Sequence, residues 1–400
     1  MSSAATFDVA IAGGGIVGAA CALACAQRGL RVALVERDTL GSGATAAGMG
    51  HIVVMDDSDA QFALTRYSQQ LWHTLAATLP ASAEYEQRGT LWIAADCEEM
   101  EAAEKKHHWY SERSVPCQLL TPAQLAEAEP NLVRPLAGAL LVKQDAVVYP
   151  PAVALELARR AERLGAQILV GRAIRRSGDG RIELEDGTAV EAGRIILALG
   201  ADSTLLAAQL PIRKRKGHLV ITDRYPGFVR HQLVELGYLK SAHSTSADSV
   251  AFNVQPRQTG QILIGSSRQF GAEHSATDHH ILAAMLARAA RYLPGIRDLS
   301  AIRVWTGFRA ATPDKLPLIG PDLHDPTLFL ATGHEGLGIT TSLATAELAA
   351  DYFGNRTPAI TAEPYLPARY ARNELTGNES RRKESYAMDW SHAGADHGIQ

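Results

Sequence analysis

Gly13-Gly14-Gly15-Ile16-Val17-Gly18 carries glycines at the G-x-G-x-x-G spacing, and Glu36 follows Gly18 by 18 residues. Placed between a strand and a helix, such a loop can bind the pyrophosphate of a dinucleotide. Gly13 permits the sharp turn, Gly15 lets the backbone approach the anion, and Gly18 lets helix and strand pack closely. The helix start, with Ile16 and Val17, brings N–H donors and a partial positive charge to the same point. A carboxylate at Glu36, with Arg37 beside it, can accept hydrogen bonds from ribose hydroxyls and would repel a 2′-phosphate, which disfavours NADP. The bland alternative is a plain turn and a solvated strand end.

Two further runs bear on which dinucleotide this is. Gly41 to Met49 is a stretch of small residues suited to carrying backbone along an extended cofactor, with Gly43, Ala44, Thr45, Ala47, Gly48 and Met49 as expected contacts. Near the other end, Gly333-His334-Glu335-Gly336-Leu337-Gly338-Ile339-Thr340 leads into a helical segment, Thr341 to Tyr352. It builds a second helix start with exposed N–H groups. A reduced flavin gathers negative charge on its N1–C2=O2 edge, and such a helix start would stabilise it by about 0.3 to 1 kcal/mol, up to ~2 if partly buried. NAD and FAD share the glycine fingerprint; this second locus points to FAD. The competing reading is an ordinary glycine-rich loop before a core helix.

The elements that must position these residues follow from hydrophobic period. A strand at 7–12, a helix ending at Gly29 and a strand at Arg31–Val35 begin a parallel sheet. A helix at 152–165, strands near 167–170 and 181–185, a turn at Asp186-Gly187 and a strand at 194–199 are expected to rejoin it, with Ala173 near the cofactor. Runs at 89–95, 218–222, 249–254 and 261–266 predict a second, mainly antiparallel sheet, covered by a helix over Thr277–Leu293. The expected fold class is α/β: a Rossmann-like FAD-binding domain with a central parallel sheet, interleaved with an antiparallel-sheet substrate domain. Residues 1–80, 145–212 and 306–372 fall to the first, 81–144 and 213–305 to the second, and 373–400 to a polar tail.

Lysine and arginine number 39 against 43 acids, so no basic field for nucleic acid or an anionic membrane surface is expected. A small-molecule partner is expected instead. Cys21, Cys25, Cys97 and Cys117 show no metal-ligand pattern, and the first two, four apart in an apolar helix, read as core thiols. His107-His108 and His279-His280 read as solvated helix faces, so no metal is expected. The N-terminal segment lacks a basic region and a cleavage site, and no apolar run reaches the roughly 20 residues of a membrane span. A cytoplasmic location is expected.

With Leu197-Ala198-Leu199-Gly200-Ala201, Lys216-Gly217-His218, Trp305-Thr306-Gly307-Phe308-Arg309, Thr312-Pro313-Asp314 and Leu316-Pro317-Leu318-Ile319-Gly320, the motifs above resemble the D-amino-acid oxidase superfamily. Its glycine oxidase, sarcosine oxidase and D-amino-acid dehydrogenase branches share this order, and the resemblance runs over about residues 6 to 370. It implies an FAD domain roofed by the antiparallel sheet of a substrate domain. Gly200 joins the expected cofactor contacts. The resemblance also implies that Arg309 pairs the substrate carboxylate, a role suited to a planar, always-charged guanidinium fork. Asn253 stands where the glycine oxidase branch carries a substrate-binding tyrosine, and it can hydrogen-bond an extra polar group or face away. Arg268 falls where family members line the pocket; His51, just past the Ala-Ala-Gly-Met run, lies beside the flavin or is a histidine satisfied by backbone, which is the default reading. His334 and Glu335 approach the ring edge or face solvent. Some sarcosine oxidases bind FAD through a cysteine before their Thr-Pro-Asp turn; this chain has none there, which implies non-covalent FAD.

Asn253-Val254-Gln255-Pro256-Arg257, Gly265-Ser266-Ser267-Arg268-Gln269 and Gly333-His334-Glu335-Gly336 look most like D-hydroxyproline dehydrogenases within the superfamily. The resemblance implies oxidation of cis-4-hydroxy-D-proline to Δ1-pyrroline-4-hydroxy-2-carboxylate, with D-proline, sarcosine, glycine and other D-amino acids as alternatives. An NAD-dependent dehydrogenase and a flavin subunit of a heteromeric complex are the rival readings. The electron acceptor, whether oxygen, a quinone or a partner redox subunit, and the oligomeric state, homo- or hetero-oligomeric, stay open.

Overall fold

The computed structural model describes residues 7–237 and 248–370; the expected polar tail at 373–400 lies outside them. The glycine loop follows the strand Phe7–Ala12, which pairs in parallel with Val32–Glu36 on one side and Ala189–Leu197 on the other. Outward from these lie Gln167–Val170 and Leu328–Thr332, both parallel, with antiparallel Leu318–Pro321 at the edge. The hairpin Ile174–Gly178 and Arg181–Leu184 hangs from Ala189–Leu197. The strands foreseen near 167–170 and 194–199 do rejoin the first sheet, although the latter starts at Ala189 because its first half pairs with the hairpin.

This sheet is apolar on both faces, as parallel strands covered twice must be. Val9, Ile11, Val32 and Leu34 point into one core with the helices Ile16–Gln27, Pro150–Arg163 and Gly338–Phe353, while Ala10, Ala12, Ala33 and Val35 point into another. The helix Ile16–Gln27 is buried nearly all round, so its small residues serve close packing on several neighbours. Cys21 and Cys25 are among them, and burial pushes the Cys25 thiol up to about 12. Both behave as core side chains.

The second sheet runs in the order Ala301–Ala311, Arg213–Thr222, Ile262–Phe270, Ser249–Pro256, Gln232–Glu235, Thr90–Ala94, Gly138–Val142 and Cys117–Leu120. All neighbours are antiparallel except Gln232–Glu235 with Thr90–Ala94, where the chain joins the sheet's two halves. The helix His279–Tyr292 covers one face, and Met285, Ala289 and Tyr292 share a core with Phe252, Val254 and Ile264. Ala301–Ala311 pairs along Arg213–Thr222 from Arg213 with Ala311 to Thr222 with Ala301. The boundary expected at 305/306 therefore falls inside one strand of this sheet. No helix among the described residues is long and apolar enough to cross a membrane.

Candidate functional site

A single cleft of about 440 Å³ runs along the C-terminal ends of Phe7–Ala12 and Val32–Glu36 and up to the second sheet. Its walls come from both sheets, from both helix starts and from the small-residue run. At the first helix start Gly13 has φ +104°, a conformation open to glycine, and a Cβ there would meet the Ala198 carbonyl oxygen at 2.7 Å. The Ile16 N–H donates to Thr45 Oγ1 at 3.0 Å, which ties the small-residue run to the helix. Glu36 is buried, accepting from the Gly14 N–H at 2.7 Å and the Asp38 N–H at 2.8 Å. Its carboxylate thus braces the glycine loop as well as facing the cleft.

The second helix start is fastened from behind. Trp72, fully buried on the helix Asp59–Ala76, donates to the Thr340 carbonyl at 3.0 Å, and Thr340 Oγ1 donates to the His51 carbonyl at 2.8 Å. Gly338 and Ile339 therefore face the cleft with their helix held on the far side. The helix begins at Gly338, three residues before the expected Thr341. His334 Nε2 lies 2.9 Å from Thr345 Oγ1, and burial holds its ring down to about 4, so it is neutral at physiological pH.

Glu335 has φ +50° and does not face solvent; its carboxylate pairs with Arg215, and its N–H donates to the Ala310 carbonyl at 2.9 Å. Arg215 had no signal in the sequence. Cross-strand pairing puts it directly opposite Arg309, and through the Arg215–Glu335 pair it joins the second sheet to the loop before the helix.

Arg309 lines the cleft, and its Nη1 donates to the Ser267 carbonyl at 3.0 Å. Gly217, opposite Gly307 in the pairing, leaves the space that the guanidinium occupies: a Cβ there would stand 2.8 Å from Nη2 and 2.9 Å from Cζ. Ser267 is itself held. Its hydroxyl lies 2.9 Å from His218 Nδ1, while His218 Nε2 accepts from the Asp278 N–H at 3.0 Å. That assigns the His218 proton to Nδ1 when the ring is neutral. Lys216, with no exposed surface, bonds the Ala276 carbonyl and Asp278 Oδ2 and fixes the same segment. The Lys216-Gly217-His218 motif thus supports Arg309 from behind.

Most of the anticipated residues line one cleft: Gly13, Gly15, Ile16, Val17, Glu36, Arg37, Gly43, Ala44, Thr45, Ala47, Gly48, Met49, His51, Ala173, Gly200, Asn253, Arg309, His334, Glu335, Gly336, Gly338 and Ile339. Five do not reach its wall. Gly18 packs on the Gly13 carbonyl, and Gly333 packs on Thr312. Leu337 joins the apolar cluster around Val53 and Val54, and Thr340 is bound to the 51–53 segment. Arg268 is buried on Ile262–Phe270, but of that strand it is Ser266 that lines the cleft. Ser266 is a wall residue that sequence reading passed over. His51 is half-buried with its Nε2 shut off from solvent, and burial of the ring holds it down to about 4.

The cleft suits FAD on grounds of its own. Backbone at Gly15 and Val17 and the second helix start offer N–H groups to phosphate and to the flavin pyrimidine edge, a carboxylate stands at the end of the second strand, and Met49, Leu219, Leu263 and Trp305 form an apolar cluster beside the cleft. Cleft-lining atoms are also buried without a hydrogen-bond partner among the described residues, namely Asn253 Oδ1, Ser266 Oγ and His51 Nε2. Buried polar atoms of this kind call for a ligand or water.

The family model for FAD dependent oxidoreductases, DAO, matches residues 8–352. Glycine oxidase of Geobacillus kaustophilus is 28% identical over 379 residues, covering 91% of this chain and 97% of that protein. The crystal structure of glycine oxidase from the same organism matches with a TM-score of 0.80 at 28% identity, covering 90% of this chain and 98% of that one. Hydrogen cyanide synthase subunit HcnC of Pseudomonas aeruginosa is 25% identical over 419 residues, covering 91% of this chain and 96% of that protein. With two helix starts and a supported arginine meeting in one cleft between a parallel and an antiparallel sheet, and with that match spanning most of its length, this chain belongs to the DAO family of FAD-dependent oxidoreductases.

Proposed function

We propose that the chain oxidises a small amino or imino acid at the carbon between nitrogen and carboxylate, and that its preferred substrate is cis-4-hydroxy-D-proline, giving Δ1-pyrroline-4-hydroxy-2-carboxylate. FAD, held non-covalently by the glycine loop, the 43–49 run and the 334–339 helix start, supplies the hydride acceptor when bound. The observation that carries the reading is Arg309, whose guanidinium stands in the cleft on the Ser267 carbonyl with Gly217 making room for it. A fork so placed can grip a carboxylate bidentately and fix the α-carbon. Burial holds His51 and His334 down to about 4, so neither brings a positive charge to the cleft at physiological pH. If the substrate amine arrives deprotonated, no dedicated acid or base is needed and alignment in the cleft supplies the rate. Among the described residues none of the cysteines lines the cleft, which supports non-covalent FAD.

Anaerobic bleaching of the flavin against D- and L-amino acids, with the hydroxyproline stereoisomers, proline, sarcosine and glycine, tests this. Strongest bleaching by cis-4-hydroxy-D-proline is expected; bleaching by none of them overturns the reading. The likeness to a hydrogen cyanide synthase subunit favours a second reading, a flavin subunit that passes electrons to partner chains. Turnover with an artificial acceptor but not with oxygen supports that reading.

A further inference from the structure

We infer that Ser266, together with Asn253, forms a polar subsite that reads a hydroxyl or comparable hydrogen-bonding substituent on the substrate. The inference rests on the amino- or imino-acid reading above. Both side chains line the cleft, Asn253 is 7% exposed and Ser266 4%, and Asn253 Oδ1 and Ser266 Oγ have no hydrogen-bond partner among the described residues. They are neighbours, because Asn253 pairs across the strands with Gly265, the residue before Ser266.

Gln255 Oε1 and His51 Nε2 are further buried atoms nearby without a hydrogen-bond partner among the described residues. Gln255 donates its Nε2 to the Met49 carbonyl at 2.6 Å. The Asn253–Ser266 pair itself presents an amide oxygen and a hydroxyl without use. Leaving such groups buried and unpaired costs free energy comparable to a lost hydrogen bond, and a site of this kind rejects a substrate that cannot fill it.

The place of the pair sets the chemistry it reads. Ser266 is one residue from Ser267, whose carbonyl holds Arg309, and consecutive Cα atoms are about 3.8 Å apart. A molecule with its carboxylate on Arg309 thus reaches Ser266 and Asn253 with a substituent only a few bonds away, the span of a small ring. Asn253 Oδ1 accepts from a substrate O–H or N–H; the serine hydroxyl donates or accepts. The ligand class is a small cyclic amino acid bearing a hydroxyl, against the same ring without one.

Three FAD-loaded proteins decide it: wild type, Ser266→Ala and Asn253→Ala. Each is assayed for kcat/KM on cis-4-hydroxy-D-proline and D-proline, and titrated calorimetrically with 2-methylproline and 4-hydroxy-2-methylproline, which lack an α-hydrogen and are not oxidised. Flavin content and Tm report folding. Wild type is expected to favour the hydroxylated member by about tenfold or more in both measurements, and Ser266→Ala to reduce that preference to within about threefold by weakening the hydroxylated ligand alone. Asn253→Ala is a second route to the same loss should Ser266→Ala fold poorly. Preferences unchanged in both variants, or a wild type indifferent to the hydroxyl, overturn the subsite while leaving amino-acid oxidation standing. Oxidation of neither ring, with no binding of either analogue, removes the underlying reading instead.

Discussion

Replacing Gly217 by alanine adds one methyl group to the second sheet, and the structure says where the effect goes. The new Cβ would stand 2.8 Å from Arg309 Nη2 and 2.9 Å from Cζ, and nearer still to Nη1, whereas ordinary contact begins at about 3.4 Å. The guanidinium must move by at least about 0.5 Å, and Nη1, which donates to the Ser267 carbonyl at 3.0 Å, must move furthest. Because the obstructing atoms are the end of a long side chain, the fold can give way there cheaply. Alignment cannot. A displacement approaching 1 Å at a positioning group costs about 10²-fold in rate. Gly217→Ala is therefore expected to lower kcat/KM for the best carboxylate substrate by about 10- to 100-fold, with flavin content unchanged and Tm within a few degrees of wild type. Steady-state kinetics, flavin absorbance and thermal denaturation on one preparation check all three. A kcat/KM within threefold of wild type refutes the claim that Gly217 sets the place of Arg309.

Arg309→Ala should abolish or greatly weaken turnover of carboxylate substrates while the protein stays yellow; near-normal substrate affinity in that variant removes Arg309 from the mechanism. Gly18→Ala puts a Cβ onto the Gly13 carbonyl, backbone against backbone, so it should cost a few kcal/mol of stability and most of the bound FAD, read by Tm and absorbance. Asp145 is buried, and burial raises its carboxyl to about 7 while Val54 N–H and Gln69 Nε2 donate to Oδ1. A carboxyl raised on folding contributes stability that is full below its unfolded value near 3.8 and is lost as pH rises through about 7. Wild-type Tm should thus fall between about pH 4 and 7 more than that of Asp145→Asn, and parallel profiles dismiss the assignment. Arg215→Met should destabilise by about 3 kcal/mol or more because it leaves the Glu335 carboxylate without its guanidinium, and adding Glu335→Gln should recover part of the loss in chemical denaturation.

Local pattern and tertiary arrangement divide this protein in a definite way. The glycine loop, Glu36 and the run to Met49 were legible because their function depends on backbone shape and on residues close in sequence. A turn that only glycine permits, followed by a helix, is written locally. The second helix start at 338 was legible for the same reason, and Arg309 through its motif. Ser266, Arg215 and the Lys216–His218 support were not legible as wall and brace. Their positions follow from strand pairing: Arg215 meets Arg309 across 94 residues of sequence, and Asn253 meets Gly265 by the register of a hairpin. Ser266 lines the cleft, and Arg268, two residues further along the same strand, does not. Composition and spacing determined that a dinucleotide site exists and what must hold it. Which polar groups line the cleft was decided by the tertiary structure, because hydrogen bonding between distant strands, not local preference, chooses the side chains that meet there.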